Sequence, residues 1–168
     1  MKVISLFLGL MVLAQTTLAE TRVGIYYQMT VSDPSSMVAA LDTFRSSAAG
    51  KKTSAQVTLS QIMANGTNPA THALSVSYAS GADMDKSQAA TRGSKEWAAL
   101  QKTMSEIMTP VSETMFRTTE ITAGSSDKIT SPNAVSRFIL MDVEDPAAYV
   151  AAWKKMMASR NSDLPSGI

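Results

Sequence analysis

The chain has 168 residues, of which 45% are hydrophobic and 17% charged. That is too apolar for a disordered chain and long enough for one domain, or one domain with part of another. Fifteen Lys and Arg face fourteen Asp and Glu, a net charge of +1. No basic excess is available to neutralise phosphates, so no nucleic-acid partner is expected. Cysteine is absent and His72 is the one histidine, which excludes disulfides, thiolate metal sites, a cysteine nucleophile and any site built from several histidines.

Residues 1–19 carry the three parts of an export signal: Met1-Lys2, an apolar run from Val3 to Ala14, and a small-residue end at Thr17 and Ala19. The run is shorter than the roughly 20 apolar residues a spanning helix needs. Cleavage near Ala19 is therefore expected. It gives an exported, periplasmic or secreted chain that begins at Glu20 and keeps no stable membrane anchor. Losing Lys2 balances the charges at fourteen of each sign. Ten of the twelve methionines lie beyond residue 19, as adaptable apolar fillers.

Residues 23–31 alternate Val23, Ile25, Tyr27, Met29 and Val31 with smaller or polar residues, a period of two that predicts a strand. Asp33-Pro34 then predicts a helix start, with Met37, Leu41, Phe44 and Ala48 on one face and an end near Gly50. Alternation at Ala55, Val57, Leu59, Gln61 and Met63 predicts a second strand, a turn follows at 65–69, and Leu74, Val76 and Tyr78 mark a third. A polar loop is expected from Ser80 to Gly93. A helix is expected from Ser94 to Thr109, carrying Trp97, Leu100, Met104, Ile107 and Met108. Residues 113–122 read as a weaker fourth strand. The order over 20–123 is β-α-β-β-α-β, which predicts an α+β, ferredoxin-like sandwich. Residues 124–133 are a Gly/Ser/Asp/Pro linker and the expected boundary.

The pattern then restarts. Residues 29–40 and 141–152 share Met-x-Val-x-Asp-Pro-x-x-x-Val-Ala-Ala, seven identities in twelve columns at an offset of 112, and Val23 matches Val135 at the same offset. Asp-Pro alone is a common helix start. The flanking matches in register favour duplication. A strand near 135–143 and a helix near 146–160 are expected, so 134–168 reads as the β-α start of a second, incomplete copy. Ser166 corresponds to Ser54, ahead of the hairpin.

This element order and tandem repeat resemble the dimeric α/β-barrel superfamily. The resemblance covers residues 22 to about 160 and lies at the level of fold. It implies two sheets face to face, from two chains or two repeats, with a ligand in between. A small-molecule ligand and a homodimer are thus the implied partners. In copy one the sheet face away from the helices carries Tyr26, Gln28, Thr30, Thr58, Ser60, Ser75 and Ser77. In copy two it carries Phe138, Leu140 and Asp142. The ordinary reading of such a face is the solvated side of an antiparallel sheet. The sharper reading is a small cavity with hydroxyl and amide donors for a modest polar or aromatic ligand. On it, Tyr26, Gln28, Ser60, Ser75 and Asp142 are the candidate ligand-binding residues.

No catalytic residue or cofactor is assigned. His72, at the start of the third strand, has no partner in sequence to set its tautomer. Asp33 and Asp145 are explained by helix capping. Asp83 and Asp85 lack the calcium-loop pattern, so no metal site is expected. Trp97 and Trp153 fall on apolar helix stripes, and Asn65-Gly66-Thr67 matches a glycosylation sequon. The sparse ionisable inventory favours an exported binding or interaction module. The alternative is a barrel-interior enzyme: a cofactor-independent oxygenase, an isomerase-like enzyme or a haem-dependent one.

Overall fold

The computed structural model describes residues 22–119, 121–124, 135–160 and 165–167. Residues 1–19, read above as an export signal, and most of the expected linker at 124–133 lie outside the described residues.

Strand β1 (Val23–Val31) leads into α1 (Pro34–Ser46), followed by a 3-10 turn at Gly50–Lys52. Strands β2 (Gln56–Gln61) and β3 (His72–Tyr78) form the hairpin. Helices α2 (Gly81–Thr91) and α3 (Lys95–Ile107) precede β4 (Met108–Arg117). The four strands form one antiparallel sheet in the order β2-β3-β1-β4, the topology of a ferredoxin-like sandwich. Beyond it lie a two-residue pair, β5 (Thr122–Ala123) with β6 (Ser166–Gly167), and α4 (Pro146–Ala158).

The alternation places the core as expected. Met29 and Val31 of β1 and Leu74 of β3 meet Met37 and Phe44 of α1 and Leu100 and Met104 of α3 in one cluster. Phe44 and Trp97 lock the two helices edge to face, with ring centroids 5.4 Å apart at 63°. Helix α3 ends where Ser32 takes its last carbonyl: the Ser32 N–H and hydroxyl donate to the Ile107 oxygen at 2.9 and 3.0 Å.

Four expectations need correction. The loop from Ser80 to Gly93 is mostly helix. Ser80 caps α2 by accepting the Asp83 N–H at 3.1 Å, but the residues α2 buries are Ser87 and Thr91, so no apolar period announces it. The Ser87 hydroxyl meets Ser54 at 3.1 Å and Thr91 donates to the Ser87 carbonyl at 3.0 Å, so these buried hydroxyls are bonded. The fourth strand starts at Met108, earlier than its composition suggests. Its partner β1 sets its extent, and it tolerates Pro110 because it is an edge strand. Helix α1 stops at Ser46, leaving Ala48 exposed and Ala49 buried. Finally, residues 135–143 form no strand. They have the composition of β1, but among the described residues they make no backbone hydrogen bond to a neighbouring strand.

Asp33 and Asp145 are both N-caps followed by proline at the first helical position, accepting the Ser36 N–H at 3.0 Å and the Ala148 N–H at 2.9 Å. Asp33 also accepts the Ser35 and Ser36 hydroxyls at 2.6 and 2.7 Å. These two hydroxyls and then the Ser36 N–H hold its carboxyl down to about 2, below its ordinary 3.8. A depressed folded pKa stabilises the fold above the unfolded value and loses that contribution as pH falls through the folded one. Stability is therefore expected to drop between about pH 4 and pH 2. Asp33→Asn should flatten that part of the curve, as read by thermal melts across the window. Parallel curves for the two proteins would show that the cap does not titrate with folding.

Candidate functional site

The pairing register builds the outer sheet face as three rows across four strands. One row is Gln56, Ser77, Gly24 and Phe116; the next is Thr58, Ser75, Tyr26 and Thr114; the third is Ser60, Ala73, Gln28 and Ser112. Directly opposed residues of antiparallel strands share a face. The structure thus brings Tyr26, Gln28, Ser60 and Ser75 onto one surface, opposite the face covered by α1 and α3.

Each row has its own chemistry. In the first, Arg22 donates to the Gln56 side-chain oxygen at 2.7 Å and to the Ser77 hydroxyl at 3.3 Å, tying β2 and β3 to the start of β1. The Phe116 ring lies over Gly24: a Cβ built there would sit 2.5 Å from the ring and 2.8 Å from the Val76 carbonyl oxygen. In the middle row the half-buried Tyr26 ring is flanked by the Ser75 and Thr114 hydroxyls, which make no hydrogen bond among the described residues. In the third row the Gln28 side-chain oxygen accepts from Asn68 Nδ2 at 3.0 Å and from the Ser112 hydroxyl at 2.9 Å. Both acceptor positions are filled, the amide plane is held, and its two N–H groups have no protein partner among the described residues.

Phe138 comes onto this surface from the segment 135–143. Its ring stacks on Tyr26 with centroids 5.1 Å apart and planes 21° from parallel. It is nonetheless 67% exposed. Leu140 and Asp142, expected on the same face, are exposed, and Asp142 makes no hydrogen bond to the other candidates among the described residues. Without strand pairing, nothing imposes the alternation that would carry Asp142 inward. Ser112, Thr114 and Phe116 complete the face from β4, and only the register identifies them.

His72 lies in the row with Gln61 and Met29, on the helix side of the sheet. The Thr71 hydroxyl accepts the Val31 N–H at 3.0 Å and shares a hydrogen bond with His72 Nδ1 at 2.9 Å. Asp83 accepts the Ser80 hydroxyl at 3.2 Å as part of the α2 cap. Among the described residues no three His, Asp or Glu gather into a metal-binding group, and no helix is long and apolar enough to cross a membrane.

No protein-family model and no curated protein matches this sequence. Solved structures to which it is similar include the following two. HapK from Hahella chejuensis has a TM-score of 0.38 and 11% identity, covering 56% of this chain and 90% of its own. A dimeric protein of unknown function and ferredoxin-like fold from Bacteroides fragilis NCTC 9343 has a TM-score of 0.35 and 16% identity, covering 57% of this chain and 93% of its own.

Of two clefts, one borders the third row at Gln28 and Ser112 and the other lies on the helices. One, of about 220 Å³, opens at the bulge where Gln28 pairs with Ser112 and Met29 with Pro110, leaving Val111 extra; Tyr27 and Glu113 also line it. Burial, and then the neighbouring Glu113 carboxylate, raise the Tyr27 phenol above its usual range. The other, of about 240 Å³, runs between α1 and α3 over Phe44 and Leu100.

Proposed function

We propose that this chain is an exported binding module of the α/β-barrel type, with its ligand held against the outer sheet face. In this reading residues 134–168 are a partial second copy of 20–123, set opposite that face. The carrying observation is the stack of Tyr26 on Phe138, because these residues stand 112 positions apart, the offset of the sequence repeat. Where two copies face each other about a two-fold axis, a residue near the axis meets its own equivalent. The paired helices add support: α1 and α4 each have thirteen residues, an Asp N-cap and a following proline, and both their ends are 112 apart.

The face offers uncharged donors and aromatic surface from Tyr26, Gln28, Ser60 and Ser75. That suits recognition of a small molecule through hydrogen bonds and stacking. His72 projects from the other side of the sheet, which favours binding over acid–base chemistry here. A second copy of the chain is the partner that can supply a complete facing sheet. Export rests on residues 1–19.

The test is a nitrogen-15 NMR screen of the mature chain against a panel of small aromatic and polar compounds. Shifts clustering on the amides of residues 24–28, 58–60, 73–77 and 112–116 are the expected result. Shifts confined to residues 108–111 at the bulge, or to the α1–α3 groove, would put the ligand elsewhere and overturn the reading.

A further inference from the structure

Resting on that reading of the outer face, we infer that the Tyr26 ring is a subsite for a planar aromatic ligand carrying a hydrogen-bond acceptor, and that Phe138 occupies this subsite until the ligand displaces it. The stack at 5.1 Å and 21° is the geometry in which Tyr26 accepts a flat ring. Phe138 fills the ring position and nothing more. It has no polar atom for the Ser75 and Thr114 hydroxyls beside Tyr26, or for the Gln28 N–H groups two residues along β1, about 7 Å away. A ring with a carboxylate or carbonyl substituent can use both the stacking surface and those donors.

Phe138 is also weakly held. No backbone hydrogen bond from residues 135–143 to another described residue anchors it. Its neighbours Ile139, Leu140 and Met141 are 57, 76 and 53% exposed, so they add little packing that opening would have to break. Pairing of residues 135–143 as a strand would have fixed the ring. Without it, the Tyr26–Phe138 stack is the aromatic contact between the segment and the sheet among the described residues. Apparent affinity for an incoming ring falls by the fraction of molecules in which Phe138 holds the site.

The probe is 1-naphthoate, titrated by NMR into the native chain, Phe138→Ala, Tyr26→Ala, the double variant and Ile139→Ala. Phe138 is largely exposed, so its alanine variant should fold. Phe138→Ala should tighten binding about two- to tenfold, the range an aromatic pair corresponds to. Tyr26→Ala should weaken it in both backgrounds, and Ile139→Ala should leave it unchanged. If Phe138→Ala binds no tighter while Tyr26→Ala still weakens binding, Phe138 is not a competitor, though the face remains the site. Equal tightening by Ile139→Ala would also overturn the ring-specific competition. If binding is indifferent to Tyr26, or absent from every variant, the reading of the face falls and this inference with it.

Discussion

Met37→Ala is expected to cost about 2–5 kcal/mol, the largest single loss foreseen for this fold. Met37 is 0% exposed and sits in the cluster with Met29, Phe44, Leu100 and Met104. Truncation removes three heavy atoms from between α1 and the sheet and leaves a cavity that the locked Phe44–Trp97 pair resists closing. A domain of this size typically has about 5–15 kcal/mol in total, so the variant should melt far below the native chain. Met115→Ala is the control. Its side chain is 64% exposed on the edge strand, and its loss should stay within about 0.5 kcal/mol. Denaturant melts of both variants decide the matter. A Met37→Ala cost as small as the control's would mean that α1 does not pack as described.

Gly24→Ala is expected to destabilise by about 1–3 kcal/mol, and the sign is the informative part. At a site with room for it, the same change stabilises by about 0.4–1 kcal/mol by restricting the unfolded chain. Gly24 lies in a central strand, and the new methyl would sit 2.5 Å from the Phe116 ring and 2.8 Å from the Val76 carbonyl oxygen. Phe116 is on the edge strand and can swing outward, but the carbonyl belongs to backbone paired across β1 and β3. The ring should move first, so the aromatic signals of Phe116 and of Tyr26 in the adjoining row should shift with the melting temperature. A stabilised Gly24→Ala with unmoved aromatic signals would contradict the close packing of that row.

The outer face owes its character to these contacts as much as to composition. Hydroxyls alone would make a solvated sheet surface. Phe116 over Gly24, Phe138 on Tyr26 and a Gln28 amide held by Asn68 and Ser112 make it a surface with one aromatic position and fixed donors. Asn68 reaches Gln28 from the β2–β3 connection, forty residues away, which no local pattern could have indicated.

Periodicity by itself determined the elements whose buried faces are apolar. The alternation of Val23 to Val31 assigned β1 and told its two faces apart. The Asp33-Pro34 and Asp145-Pro146 pairs located both helix starts to the residue, because a capping side chain and a fixed φ act locally. Local signals of this kind survive without neighbours. Tertiary structure decided the rest. Helix α2 buries Ser87 and Thr91 through hydrogen bonds that only the folded chain provides, so its sequence carries no apolar stripe. The limits of β4 follow from its register with β1 and the bulge at Val111. Residues 135–143 show the converse. They have the residues of a strand, but a strand is a paired object, and among the described residues they have no partner to pair with. Among the described residues, Phe138 meets the sheet at Tyr26, a contact between positions 112 apart that only three-dimensional placement could create.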